Sequence, residues 1–197
     1  MSIEAIIFDF DGTLVDTMPL HYEAYRQTFA EIDLELSREE FFANIGGNAR
    51  ETIPKLLAGC TTSVDVRQIH ARKKEIVAQL LLEGPVKALQ TADLLEAFFG
   101  RLPLALASSG SRGGIEIILR RLGWQHYFPV VVTGEDVPRG KPAPDLFLMA
   151  AHKLAVAPSA CLVFEDTDAG VSAARAAGMR VYDVRGESPE LAAQAAR

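Results

Sequence analysis

Short apolar runs recur along this 197-residue chain, and acids, glycines or serines close most of them. Residues 3–9 are mostly apolar and rich in β-branched side chains, and they end in Asp9, with Asp11 and Gly12 just beyond. That pattern predicts a buried strand. Residues 104–107, 130–133, 160–164 and 180–184 repeat it. Helical spacing fills the intervals. Over 112–122 it sets Ile115, Ile118, Leu119 and Leu122 on one face, and 145–154 and 169–177 carry similar patterns. Strands that alternate with helices predict an α/β core of three layers, with a parallel sheet covered on both faces.

The stretch 17–85 breaks this rhythm and carries no strand pattern. Pro19 suits the first turn of a helix, and Leu20, Ala24 and Thr28 follow at helical spacing. Gly46-Gly47 divides two helical pieces, and the helical pattern over 66–82 stops at Gly84-Pro85. The chain therefore reads as a core of 1–16 and 86–197 with a helical insertion over 17–85. Hinges are expected at 15–18 and 83–87. After Pro189 an alanine-rich tail reads as a short terminal helix or a frayed end.

Composition narrows the partners. Apolar residues make up 49 % and charged residues 23 %, ordinary for a soluble globular protein. A net charge of −6 gives nucleic acid and anionic membrane no general attraction. It leaves room for a local basic pocket that takes one phosphate. Two cysteines, Cys60 and Cys161, are too few for a disulfide framework. Cys161 lies in an apolar run and reads as a small buried hydrophobe. Glu4, Asp9 and Asp11 interrupt any leader-like start, and no apolar stretch is long enough to span a bilayer. The expectation is a cytoplasmic monomer with no nucleic-acid or membrane partner.

Ligands in open α/β sheets bind beyond the carboxyl ends of the strands. Asp9, Asp11, Gly12 and Thr13 follow the first predicted strand, and Ser108, Ser109 and Gly110 follow the second. Lys141 comes after the third, past a turn, and Glu165 and Asp166 follow the fourth. Four carboxylates in one crevice cannot all ionise without a cation. Hard oxygen ligands suit Mg²⁺. Lys141 adds a fixed positive charge and Ser108 a neutral donor, which together are what phosphoryl transfer requires.

Four motifs carry a resemblance. They are Asp9-Phe10-Asp11-Gly12-Thr13-Leu14-Val15-Asp16-Thr17, Ser108 in Ala107-Ser108-Ser109-Gly110, Lys141 in Gly140-Lys141-Pro142, and Glu165-Asp166 before Thr167-Asp168-Ala169-Gly170. In this order they resemble the haloacid dehalogenase superfamily, within it the β-phosphoglucomutase and phosphoglycolate phosphatase-like group. The likeness runs nearly end to end. It implies a Rossmann-like core with a helical cap and a Mg²⁺-dependent phosphatase acting on a small phosphate ester. Residues 142–179 look most like bacterial fructose-1-phosphate and 6-phosphogluconate phosphatases, which points to a sugar or sugar-acid phosphate.

The resemblance also implies roles. Asp9 would be the nucleophile and Asp11 the general acid and base. Asp9, the main-chain carbonyl of Asp11 and Asp166 would hold Mg²⁺, with Glu165 acting directly or through a metal-bound water. Ser108 and the Ser109 amide would hold phosphoryl oxygens, and Lys141 would bridge Asp9 and the phosphate. Gly12 and Thr13 would line the turn beside the substrate, and Asp16 and Thr17 would shape the hinge. His21, Arg50 and Lys73 fall where the resemblance puts cap residues that face the site. Blander readings stand beside these: Arg50 as a surface arginine paired with an acid, Lys73 as part of a solvated helix face. Gly110, Gly113 and Gly114 read as loop flexibility.

Three other activities fit part of the pattern. A phosphosugar mutase would share Asp9, Asp11 and the metal. A dehalogenase would keep one nucleophilic aspartate and dispense with Mg²⁺, and Asp11 and the pair Glu165-Asp166 argue against it. A phospho-accepting receiver domain would share the aspartate, Mg²⁺, hydroxyl and lysine, but it lacks the acid two positions on and the helical insertion.

Overall fold

The computed structural model describes residues 2–44, 49–58 and 64–186. Five parallel strands form the central sheet: β1 (Ala5–Phe8), β4 (Leu104–Ser108), β5 (Val130–Thr133), β6 (Cys161–Glu165) and β7 (Arg180–Asp183), in the order β5-β4-β1-β6-β7. Alternation along the strands sorts side chains by size. Ile6, Phe8, Leu104, Leu106, Leu162 and Phe164 face one side with α5 (Asp93–Phe98) and α6 (Arg112–Leu122). Ala5, Ile7, Ala105, Ala107, Cys161 and Val163 face the other with α7 (Asp145–Leu154) and α8 (Asp168–Ala176). A strand buried on both faces must be apolar throughout, which is why these runs were visible in the sequence. Cys161 is buried as expected, and burial pushes its thiol up to about 11.

Four helices fall within residues 18–83: α1 (Met18–Ala30), α2 (Arg38–Asn44), α3 (Ala49–Leu56) and α4 (Val66–Glu83). Tyr25, Phe29, Leu36, Phe41, Ile53 and Ile69 give them an apolar cluster of their own. Asp65 caps α4 by accepting from the Arg67 amide, and α4 ends at Gly84. Two short strands, β2 (Val15–Asp16) and β3 (Lys87–Ala88), pair antiparallel where the chain enters and leaves these helices. No strand was expected there, since two residues carry no periodic signal. Gly113 and Gly114, read as loop residues, lie in the first turn of α6 behind its cap Ser111. A Cβ at Gly114 would press on Leu81, so this glycine lets α4 approach α6. Gly46-Gly47, Cys60 and the residues after Pro189 lie outside the described residues.

The chain leaves β1 toward one edge of the sheet and β6 toward the other. The crevice of such a sheet opens between those two strands, beyond their carboxyl ends.

Candidate active site

Asp9 follows the last residue of β1, and its amide donates to the Phe164 carbonyl at 2.9 Å, extending the ladder to β6. Glu165 ends β6 and Asp166 comes next. One oxygen from each of Asp9, Glu165 and Asp166 lies within 4.8 Å of the others. Lys141 reaches in from the segment before α7 and donates to Asp9 and, at 2.7 Å, to Glu165 Oε2. Asp9, Lys141 and Glu165 are all buried. Desolvation opposes the lysine's charge, yet Asp9 and Glu165 outweigh it and raise its pKa. Burial, followed by the charge of Glu165, pushes Asp166 up to about 6. The same two effects, reinforced by Asp166 and opposed by Lys141, raise Asp9 well above its ordinary value. One lysine cannot neutralise three carboxylates, so the cluster is short of positive charge. An all-oxygen donor set with excess negative charge fits a hard divalent cation.

Glu165 is the most tightly held member. Its Oε1 accepts from the amides of Asp166 and Thr167 and from the Thr167 hydroxyl at 3.1, 3.0 and 2.9 Å. A Cβ at Gly170 would occupy the space its carboxylate fills. Gly12 has φ +91°, and a Cβ there would collide with the Asp166 carboxylate, so glycine is required on both counts. The buried Thr13 hydroxyl donates to Asp166 Oδ1 at 3.0 Å.

Asp11 sits apart from the acid cluster, among donors. Thr17 donates to its Oδ1, and Ser108 Oγ donates to its Oδ2 at 3.3 Å. His21 Nε2 lies 3.6 Å from Oδ1. Lys73 Nζ, over the Tyr25 ring, is 3.0 Å from His21 Nδ1. An ammonium only donates, so Nδ1 accepts and the imidazole proton sits on Nε2, facing Asp11. Burial and then Lys73 lower the His21 pKa, with Asp11 opposing. For Asp11, burial pulls upward, but the hydrogen bond from His21, its charge and the Thr17 bond prevail, and the carboxyl sits below its ordinary value.

A cavity of about 650 Å³ opens over both groups, between the sheet edge and the helical segment. Asp9, Asp11, Ser108, Ser109, Lys141, Glu165 and Asp166 line it from the core, and His21 and Lys73 from the helices. Gly12 and Thr13 support it from behind through Asp166. Arg50 belongs to the first turn of α3, and its side chain lies outside the described residues. Sequence reasoning passed over Phe42, Lys74 and Glu135, which also line the cavity. Glu135 follows β5, so the strand-end rule that found Glu165 points to it as well. Asp168, left out of the metal set, pairs with Arg185 at 2.7 Å on the surface. Among the described residues no helix is long and apolar enough to cross a membrane.

Carboxylates and a lysine at the carboxyl edge of a parallel sheet, beneath a helical layer, place the chain among α/β proteins of Rossmann-like fold. A family model described as haloacid dehalogenase-like hydrolase matches residues 3–178, and the chain belongs to that family. It is similar to fructose-1-phosphate phosphatase YqaB of Escherichia coli, 36 % identical over 91 % of this chain and 95 % of the relative. It is also similar to a β-phosphoglucomutase of Bacillus subtilis, 31 % identical over 97 % of this chain and 87 % of the relative. Among solved structures, CbbY from Rhodobacter sphaeroides in complex with phosphate superposes with a TM-score of 0.84 at 33 % identity, covering 91 % of this chain and 84 % of that one.

Proposed function

We propose that the chain is a Mg²⁺-dependent phosphatase that hydrolyses a small sugar or sugar-acid phosphate through an aspartyl-phosphate on Asp9. The observation that carries this reading is the different surroundings of the two aspartates of the first motif. Asp9 sits in a carboxylate cluster with Lys141, while Asp11, two residues on, sits among neutral donors. A nucleophile and an acid–base group need such a division.

Asp9, Asp166 and the Asp11 carbonyl would hold Mg²⁺, with Glu165 alongside; the ion would offset the carboxylate charge and the charge of the phosphate. The Asp9 oxygen that Lys141 does not hold attacks phosphorus, and the bond to the leaving oxygen breaks. Asp11 gives that oxygen its proton. The phosphate's negative charge, arriving beside Asp11, raises its pKa toward the protonated form this step needs. Asp11 then takes a proton from water as the water attacks phosphorus, and the bond to Asp9 breaks to release phosphate. Ser108 and the Ser109 amide hold phosphoryl oxygens, and Lys141 stays between Asp9 and Glu165. The helices over 17–85 serve as a cap that excludes bulk water. His21 and Lys73 reach Asp11 from that cap. The protein works in the cytoplasm on a small-molecule ester.

Phosphate release from a panel of sugar phosphates, with and without Mg²⁺, tests the reading. Turnover is expected only with the metal, and Asp9→Asn is expected to abolish it with the circular dichroism spectrum unchanged. Appreciable turnover by Asp9→Asn would overturn the mechanism. Conversion of hexose 1-phosphate to hexose 6-phosphate without phosphate release would move the reading to a mutase, the activity named for the Bacillus relative.

A further inference from the structure

Helix α4 does not satisfy its own carboxyl end. The last carbonyls of a helix have no partner within it. The Leu80 carbonyl takes the Gly84 amide at 2.7 Å. Gly84 is extended, at φ −76° and ψ 166°, so the chain does not turn back in the left-handed form that would satisfy the carbonyls after it. The last turn also holds Glu83 and no basic residue, an acid at the end of a helix that favours cations. Arg121, in the last turn of α6, supplies what is missing. Its Nη1 donates to the Leu81 carbonyl and, at 2.9 Å, to the Gly84 carbonyl. Helix α6 meets α4 again at Gly114, where a Cβ would lie 3.3 Å from Leu81 Cδ1. Leu81 is therefore held by its main chain at one end of α6 and by its side chain at the other. Lys74 and Lys73 lie seven and eight residues before it, about 11 Å along the helix, and both line the cavity. Arg121 lies outside that lining.

We propose that Arg121 is a positioning residue for the substrate: by capping α4 from α6, it fixes where that helix holds Lys73 and Lys74 over the cavity. This rests on the phosphatase reading and extends it to a residue that touches neither the reacting groups nor the ligand. Without the tie, α4 spends part of its time displaced, and an ester that needs α4 in place binds more weakly by the fraction lost. At saturation the bound ester itself holds the helix, so kcat is restored. Inorganic phosphate behaves differently, because in the phosphatase reading the core alone holds it. An arginine that served only the fold would weaken both ligands together.

The test compares wild type, Arg121→Met and Arg121→Lys on the sugar phosphates that wild type hydrolyses, with inorganic phosphate as the competing inhibitor. Amide hydrogen exchange is followed in the free proteins. Methionine keeps the apolar stem and removes the donors, while lysine keeps a charge and donors on a shorter reach. The KM of Arg121→Met should rise about three- to tenfold, the scale of one or two such bonds. Its kcat and its inhibition constant for phosphate should stay within about twofold of wild type, and Arg121→Lys should fall between the two proteins. Exchange over residues 79–84 should quicken in Arg121→Met and stay unchanged in the sheet. A KM of Arg121→Met within about twofold of wild type, or unchanged exchange over 79–84, would overturn the proposal and leave the phosphatase reading standing. So would KM and inhibition constant rising by the same factor, the mark of a fold weakened throughout. Wild type that releases no phosphate from any ester would overturn both.

Discussion

The sheet and the helices proposed as its cap bring side chains to one cavity by different means. In the core, Asp9, Ser108, Glu165 and Asp166 stand at or one residue beyond strand ends, where the sheet's ladder fixes the main chain. Lys141 ties the β1 and β6 ends together from beneath. The cap reaches in from the flanks of helices. Lys73 is buried against His21 and Tyr25, but the charges beside it in sequence are exposed: Arg72 pairs with Glu31 and Glu75, and Lys74 with Glu135 of the core. The groups proposed to react thus sit at strand ends, and the helices proposed as a cap reach them through longer side chains. Substitutions in the core should act on kcat, and those in the cap on binding, closure and stability.

Asp11→Asn is expected to cost more activity than any substitution in the helices over the site. It keeps the side chain's shape but removes the titrating carboxylate that Thr17, Ser108 and His21 surround. General acid–base help is worth about 10²–10⁴ in rate, so kcat should fall by that factor with little change in KM. A fall of only a few-fold would give the proton to His21 and erase the division of labour between core and cap.

Metal binding should register in stability without any turnover. A ligand at a hundredfold excess over its Kd adds about 2.7 kcal/mol. For a chain of this length that is roughly 5–10 °C in melting temperature. Mg²⁺ should raise the wild-type midpoint on that scale and leave Asp166→Asn nearly unmoved. An equal shift in both proteins would place the ion elsewhere.

Most of the core was legible in the sequence because a parallel sheet buried on both faces leaves unbroken apolar runs. Boundaries moved by a residue or two: residues 3–9 became Ala5–Phe8, and Glu165, read as a loop acid, closes β6. The cap was less legible. In Arg72-Lys73-Lys74, composition alone does not say which side chain turns inward, since neighbours on a helix point about 100° apart. A signal did exist. Ile69, Lys73, Ile76, Val77 and Leu81 are the buried positions of α4, spaced as one apolar stripe with the lysine inside it. The bond from Thr17 to Asp11 had no such signal. It depends on how the turn after β1 folds back, with the Leu14 and Val15 amides on the Phe10 carbonyl.

That buried lysine gives a sharper contrast between function and stability. Burial lowers its pKa to about 8 from 10.5, with Asp11 opposing and Lys74 assisting. Between those two values the unfolded chain carries a proton that the folded chain has released. The unfolded state therefore binds more protons, and Lys73 makes stability rise with pH across that window. At pH 7 the lysine is charged in both states and the full desolvation cost is present. Lys73→Met should stabilise the protein at pH 7 by on the order of 1–3 kcal/mol. It should also flatten the rise in stability between pH 8 and 10.5, and it should reduce turnover. Urea unfolding at pH 7 and at pH 10 reads both effects. A destabilised variant at pH 7 would mean that the contacts with His21 and Tyr25 outweigh desolvation.

The smallest expected effect concerns how the cap is held down. Lys74 of α4 meets Glu135, beyond β5, at 2.7 Å, and both line the cavity. Their side chains are 45 % and 46 % exposed, so the pair is worth no more than about 1 kcal/mol, a factor of roughly five in any equilibrium it biases. If it favours the closed cap, Glu135→Gln should raise KM by up to about fivefold at low salt and leave kcat nearly intact. At 1 M salt, where the screening length is about 3 Å, the variant and wild type should converge. The exchange Lys74→Glu with Glu135→Lys restores the attraction with reversed polarity and should bring KM back toward wild type. A loss that ignores salt and that the exchange does not repair would mean Glu135 acts on the ligand itself, placing one specificity contact on the rigid core rather than on the cap.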